Sequence, residues 1–387
     1  MLGAIAAFLA VSVAVAGRSP RASADERVPT DGAEVLERVP PKGADEGRAA
    51  RSALSRDPRD VRAAVALAKT YVRRARATGD PRYLGRAQAA LTPWWDDDPP
   101  PLDVLVLRAT IRQSLHDFEP ALRDLDRAAK LSPGNPQVWL TRATVLTVRA
   151  RYPEARESCM SLAGLVDRIV VVTCLASIDG LTGRAKDARD GLRAVLGHGA
   201  SRDMEAWAEG VIAELSERLG DTEAAERAFA RTLELDPEDA YTRGAFADMR
   251  IDQGRWADAI ALVRGQEAND GLLLRLAIAE RGAGDPQADA HVAVLADRFA
   301  KSRLRGDSVH RREEARFELL RGDGARALEL AQANFEVQRE PWDVRVLLAA
   351  AVAARDAQGA RAAREHVALH KLEHPEITKL IKMLDGL

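Results

Sequence analysis

An all-α chain, built as a stack of antiparallel helix pairs, is the fold class this sequence predicts. Three observations predict it. The triplet Arg-Ala-Thr stands at Arg108-Ala109-Thr110 and again at Arg142-Ala143-Thr144, 34 residues later. A fixed period of that length marks an array of supersecondary units. The stretch from Gly220 to Asp239, GDTEAAERAFARTLELDPED, reads as turn, cap, amphipathic helix and stop. Hydrophobic residues make up 46% of the 387-residue chain and aromatics only 4%, so Ala and Leu do the packing, as in close-packed helices.

The first element is an uncharged apolar run, Leu2 to Ala16 (LGAIAAFLAVSVAVA). At about 1.5 Å per residue it spans roughly 23 Å as a helix, short for a membrane crossing of about 20 residues. It fits the apolar region of a secretory signal. Ala22-Ser23-Ala24 supplies small residues before a cut at Asp25, and Ala14-Val15-Ala16 is a second candidate. No Lys or Arg precedes the run, and Arg18 and Arg21 follow it, which runs against that reading. Residues 1–24 are therefore expected to be a signal peptide or, alternatively, a short N-terminal anchor. The expected location is periplasmic or otherwise exported, with an inner-membrane anchor through residues 2–16 as the alternative. Residues 25–44, rich in Pro, Arg, Asp and Gly, read as a flexible linker.

Periodicity begins near Asp45 and defines one α-solenoid over 45–387. Ala49, Ala50, Ala53 and Leu54, ahead of Asp57-Pro58, predict a lone cap helix over 45–57. Repeats follow from about 61 to 375. In the clearest one, Gly220 takes the left-handed conformation that a tight turn needs. Asp221 caps the next helix, and Glu223 sits in its first turn, where the helix dipole favours an acid. Ala225, Phe229 and Thr232 form one face at i, i+4 and i+7, and Pro237 ends the helix.

This unit closely resembles the second half of a tetratricopeptide repeat, in which small or aromatic residues recur at fixed places of a 34-residue helix pair. The resemblance covers residues about 61 to 377. Ala64, Leu67, Ala68 and Tyr71 match the first helix of the family's unit. So do Trp139 and Ala143, followed by Ala155 and Cys159. Phe118, Ala121, Leu125, Ala128 and Pro133 match the second helix, as do Trp256, Ala259 and Val263. Gly183 with Ala188 and Leu192, Ala277 with Gly284, Gly322 with Ala327 and Ala331, and Ala351 with Ala363 and Val367 continue the series. About nine units are counted. The first has an enlarged turn near Ala77 to Pro81 and a Pro-rich exit, WWDDDPPP; the one near Arg264 to Gly271 is cut short. Ile377, Leu380, Ile381 and Leu384 form an apolar stripe opposite Glu376, Lys379, Lys382 and Asp385, which predicts a C-terminal cap helix over 376–385. The resemblance implies a right-handed superhelix of antiparallel pairs and a non-catalytic scaffold that binds a protein or peptide segment without a cofactor.

In that family the first helix of each unit lines a concave groove. By its spacing the groove here is lined by Thr110, Gln113, Ser114, Thr144, Thr147 and Ser177, with Val106, Leu140 and Val148 among them. Short hydroxyl and amide groups beside aliphatics suit an extended backbone. One subgroup of the family grips a C-terminal carboxylate with Lys, Arg and Asn. The matching positions here carry Val106, Leu140 and Thr173, then Thr110, Thr144 and Ser177, so that clamp is absent. Arg108 and Arg142, one repeat apart, form either a paired anion site or stems packed beneath a head that meets a nearby acid.

Net charge is −2, without the basic excess of a nucleic-acid binder, so no nucleic-acid partner is expected. Membrane contact is expected only through an uncleaved N-terminus. His366, His370 and His374 follow one another at i, i+4 and i+8, a spacing that suits Zn or Ni on one helix face, although Pro375 ends the helix. A metal-handling accessory is one rival reading; an enzyme with an unrecognised groove site is another. No Gly-Lys-Ser/Thr phosphate loop, H-E-x-x-H or G-x-S-x-G is present. The two cysteines, Cys159 and Cys174, fall in adjacent helices and are either bridged or two buried thiols. Trp94-Trp95 is the one aromatic pair in a loop, exposed for contact or tucked under the turn.

Overall fold

The computed structural model describes residues 47–80, 82–197, 199–304 and 310–387. The expected signal segment 1–24 and the linker 25–44 lie outside the described residues. Among the described residues there is no strand, and no helix is long and apolar enough to cross a membrane.

A lone helix, α1 (Arg48–Arg56), precedes the first pair, α2 (Val61–Thr78) with α3 (Arg82–Ala90). A single turn, α4 (Thr92–Trp95), leads to pair two, α5 (Leu102–Ser114) with α6 (Phe118–Leu131). Pair three is α7 (Pro136–Val148) with α8 (Tyr152–Met160), and pair four is α9 (Arg168–Asp179) with α10 (Ala185–Val195). Pair five is α11 (Arg202–Arg218) with α12 (Thr222–Leu235), and pair six is α13 (Ala240–Asp252) with α14 (Trp256–Val263). Pair seven is α15 (Asp270–Ala283) with α16 (Gln287–Leu304), and pair eight is α17 (Arg311–Arg321) with α18 (Gly324–Phe335). Pair nine is α19 (Pro341–Ala354) with α20 (Arg361–His370), and α21 (Pro375–Asp385) closes the chain. Among the described residues, the nine pairs and the C-terminal end helix match the periodic reading of the sequence.

Local chemistry sets these boundaries. Asp60, Asp221, Asp239, Asn269 and Asp323 each accept a backbone N–H in the first turn of the following helix, satisfying donors that the helix itself leaves open. Each pair turns through one residue of positive φ: Gly79, His116, Ala150, Gly183, Gly220, Gly254, Gly284, Gly322 and Arg355, with φ from 55° to 84°. Six are glycine. The three that carry a side chain hold it in the left-handed region at a cost of about 1–2 kcal/mol each. Gly324 has a different role. A Cβ there would lie 2.6 Å from the Ala353 carbonyl carbon, so α18 and α19 approach backbone to backbone.

The array closes on itself. Gly79 of pair one lies against Asn269, which caps the first helix of pair seven. His116 of pair two sits in the field of Arg312 and Glu313 of pair eight. In pair three, Arg149 donates to the Glu336 and Val337 carbonyls at 3.0 and 2.6 Å, and the Val148 carbonyl accepts from the Arg339 N–H at 2.9 Å. Tyr152 packs edge-on to His370. Each pair thus meets the pair six further along. Farther on, Gly183 meets Lys371 and Gly220 meets Pro375. One continuous apolar core accordingly joins Leu105, Val145, Ile178 and Ile212 to Phe335, Leu347, Ala363 and Ile377.

Candidate functional site

Closure replaces the open groove with a cavity. Seven inner helices, α7, α9, α11, α13, α15, α17 and α19, converge on a space of about 160 Å³. Its wall is strongly charged. The Asp248 side chain, 1% exposed, holds Arg275 at 2.6 Å and Arg316 at 2.7 Å. Arg345 pairs with Asp252. Arg312 bridges Glu313, Glu340 and Asp343 at 3.2, 3.1 and 3.4 Å. Arg218 and the Tyr241 hydroxyl both donate to Glu214. The Trp342 ring carries two guanidinium groups, Arg316 at 4.4 Å and Arg345 at 4.2 Å from its centroid, a cation–π arrangement.

Two atoms in this wall are buried without a partner: Nη1 of Arg345 and Oε2 of Glu313. Burial alone would raise the Glu313 carboxyl, but the Arg312 guanidinium overrides it and holds the group at about 2. Burial pushes Glu217 up to about 8 and Glu340 up to about 7. Burial, with Arg345 and Arg218 nearby, lowers His374 to about 3. Glu217 and His374, 4.0 Å apart, therefore face each other uncharged near neutral pH.

The groove residues expected from spacing are distributed unevenly. Thr147 and Ser177 line the cavity. Thr110 and Ser114 are buried, Thr144 is half-buried, and the Oε1 of half-buried Gln113 is without a partner. All five hydroxyls donate to the carbonyl four residues back: Thr110 to Val106, Ser114 to Thr110, Thr144 to Leu140, Thr147 to Ala143 and Ser177 to Thr173. Their protons are engaged within their own helices. Arg108, 5% exposed, grips Asp124 with two bonds of 2.9 and 2.8 Å. Arg142 meets Asp126 and Ser158 at 2.8 and 2.7 Å. Arg108 is held by the second helix of its own pair and Arg142 by the second helices of pairs two and three, and the paired anion site is not assembled.

Cys159 and Cys174 are bridged, with Cα atoms 5.7 Å apart, tying α8 to α9. Trp94 is buried, and Trp95 lies beneath Arg112. His366 packs edge-on to Phe335 and to Tyr152. His374 caps α21, accepting the Glu376 N–H. His366 and His370 stay adjacent, their ring centroids 4.6 Å apart, while His374 is set apart at the start of α21; among the described residues no group of three His, Cys, Asp or Glu is placed to hold a metal ion.

The charged wall was missed in the sequence, although its signal was present. Thr110, Thr144 and Ser177 each follow a small Ala in the first helix of a pair. The same place in pairs six and eight is taken by Asp248, after Ala247, and Arg316, after Ala315.

No protein-family model matches the sequence, and no curated protein does. Solved structures similar to the chain include a tetratricopeptide repeat protein from Parabacteroides merdae, 14% identical, covering 73% of this chain and 98% of that one, with a TM-score of 0.30. A human IFIT1 dimer with m7Gppp-AAAA is 12% identical, covering 87% and 84%, with a TM-score of 0.45. Yeast Tom70 is 12% identical, covering 88% and 84%, with a TM-score of 0.39. All three scores are below 0.5, so the assignment of fold rests on the nine helix pairs themselves. In that architecture the chain is an all-α solenoid of antiparallel helix pairs, the arrangement that the tetratricopeptide resemblance of its sequence implied.

Proposed function

We propose that the protein is a non-catalytic interaction scaffold of a bacterial cell envelope that holds a protein or peptide segment. Helix-pair arrays offer extended binding surfaces. Here the inner face is covered by the chain's own second turn, and a cavity of about 160 Å³ falls below the ~300–1,000 Å³ of ordinary ligand pockets. An extended segment does not fit inside. The partner surface therefore falls on the outer edge of the stack. The observation that carries this reading is a set of exposed apolar side chains at the exits of two successive pairs: Leu131 at the end of α6, 57% exposed, and Met160 at the end of α8, 54% exposed, with Leu165 just beyond at 39%. Contiguous exposed apolar side chains mark interaction sites, and these three stand at corresponding ends of neighbouring repeats.

The Cys159–Cys174 bridge supports an oxidising compartment, in keeping with the apolar run 2–16. Capture of partners from a native envelope fraction tests the reading. The chain carrying Leu131→Asp, Met160→Asp and Leu165→Asp is compared with wild type and with Thr147→Glu plus Ser177→Glu. A partner lost only from the edge variant is the expected result. A partner lost only from the inner variant moves recognition into the cavity, and a partner kept by both removes the edge as the site.

A further inference from the structure

The net charge of −2 over the whole chain conceals an uneven spread. Helices α1, α2 and α3 carry ten Arg or Lys side chains and no acid. Each of the other eight pairs holds at least two Asp or Glu on its helices. The acids between the first helices, Asp57, Asp60 and Asp80, sit in turns and accept the backbone N–H groups of Arg59, Ala63 and Arg82. Arg82 pairs with Asp80, whereas among the described residues Arg62, Lys69 and Arg73 join no ion pair. These three are exposed, with exposed Ala66 between them. They stand at i, i+7 and i+11, on one face of α2. The row runs roughly 17 Å at about 1.5 Å per residue. It is the free face of the first pair: among the described residues no pair precedes it, and α1 meets α2 elsewhere, its cap Gly47 against Leu67.

Protein surfaces ordinarily intersperse the two signs of charge. A field of one sign reaches about 8–10 Å into physiological salt and gathers a polyanion. Two observations favour a bilayer as that polyanion. Proteins that hold a nucleic-acid strand without base readout stack its bases on aromatic rings. The tyrosines of this pair are engaged instead: Tyr83 is buried, stacked on Tyr71 at 6.3 Å and lying beneath Arg74 and Arg86. Stable attachment to a bilayer takes two signals, such as an apolar one and a polybasic one. The sequence sets the uncharged apolar run 2–16 ahead of this same pair. We propose that pair one docks on an anionic lipid surface, whose phosphate groups meet Arg62, Lys69 and Arg73. The contact belongs to a different pair from the apolar edge at Leu131, Met160 and Leu165, so the two sites are tested apart.

Co-sedimentation of the full chain with vesicles tests this. Vesicles of phosphatidylglycerol and phosphatidylcholine in equal parts should bind at least about tenfold more tightly than phosphatidylcholine alone. The run 2–16 contributes to both, so the preference reads charge. Arg62→Gln with Lys69→Gln and Arg73→Gln should abolish it, since each cation near such a surface is worth about fivefold. Lys186→Gln with Arg227→Gln and Arg361→Gln removes the same charge from exposed positions that already face an acid and should leave the preference in place. Melting curves accompany each variant; if the first triple variant melts early, Lys69→Glu alone replaces it and should weaken the preference about tenfold. The preference should vanish near 0.5 M salt, where the screening length falls to about 4 Å. Equal binding to both vesicles, a preference kept by the first variant or lost equally in the second, or one that survives salt would overturn the proposal. So would capture of poly(U) or polyglutamate through the same three residues with no preference between vesicles, which would give the face to another polyanion.

Discussion

Replacing Asp248 with Asn keeps the volume of the side chain and removes its charge from a deeply buried ion cluster. The carboxylate is 1% exposed and holds Arg275 through Nε at 2.8 Å and Nη2 at 2.6 Å, and Arg316 through Nη2 at 2.7 Å. Arg275 retains the Gly244 and Gly271 carbonyls at 3.0 and 2.9 Å. Arg316, 10% exposed, retains the face of Trp342. Removing one partner of a buried pair costs about 3–5 kcal/mol, because a buried charge is left uncompensated. The cost should lie toward the upper half of that range, since two guanidinium groups lose their counter-charge. Urea unfolding of wild type, Asp248→Asn, Arg316→Met and the double variant provides the assay. The double variant should fall short of the sum of the singles by more than about 1 kcal/mol, the range expected for residues in contact. Burial raises the Asp248 carboxyl, but Arg275 and Arg316 outweigh it and hold the group below its ordinary value. Its contribution is therefore present above the ordinary carboxylate range and lost as pH falls through the lower folded-state value. The Asn variant should lack that acid limb. A cost under about 1 kcal/mol, or strict additivity in the cycle, would refute the view that this cluster ties pairs six, seven and eight together.

Four further outcomes follow from the geometry. Gly324→Ala should lower the melting temperature, costing about 1–3 kcal/mol by overpacking, because the new methyl meets the Ala353 backbone at 2.6 Å. Arg355→Gly should raise stability in urea by roughly 0.5–1 kcal/mol, the relief of a left-handed side chain less the added freedom of the unfolded chain; Arg355 is exposed with φ 55°. Replacing Cys159 and Cys174 with Ser should cost about 3 kcal/mol for a closed loop near 15 residues, and thiol titration of the folded wild type should find no free thiol. Glu217, raised to about 8 by burial, keeps in the folded state a proton that the unfolded chain has lost. Its contribution is full below the ordinary carboxylate value and declines as pH rises to about 8. Glu217→Gln should flatten the fall of stability between about pH 4.5 and about pH 8 in thermal melts, the window between the two values.

The helix pairs were legible because their determinants are local. Asp221 and Asp323 cap the helices that follow them, Gly220 and Gly322 turn the chain, and Ala225 with Phe229 marks a buried face within a few residues. Closure was not legible. It depends on the small rotation between successive pairs, and its contacts join Arg149 to the Glu336 and Val337 carbonyls, 187 and 188 positions away. No pattern of i, i+3 or i+4 encodes such a distance. The same gap explains the site. Thr110 and Thr144 stand where an open groove would want them, yet the charged wall of the cavity is made by Arg275, Arg312, Arg316 and Arg345, with Asp248 behind two of them. Arg108 and Arg142 show the limit of spacing arguments in another way: their period is real, but each head is claimed by an acid of α6, Asp124 16 residues after the one and Asp126 16 residues before the other.

The six-pair offset between facing turns bears on how such a chain can change length. An open solenoid tolerates loss of a middle repeat, because its neighbours close the gap and the stack merely shortens. In this chain, deletion of pair five would set the first pair opposite the former eighth, drawing His116 away from Arg312 and Arg149 away from the carbonyls at 336 and 337. Every facing contact would be mismatched at once. The array in effect counts its own repeats, and insertions or deletions of whole units, the commonest way in which repeat proteins diversify, are barred here except at the two ends.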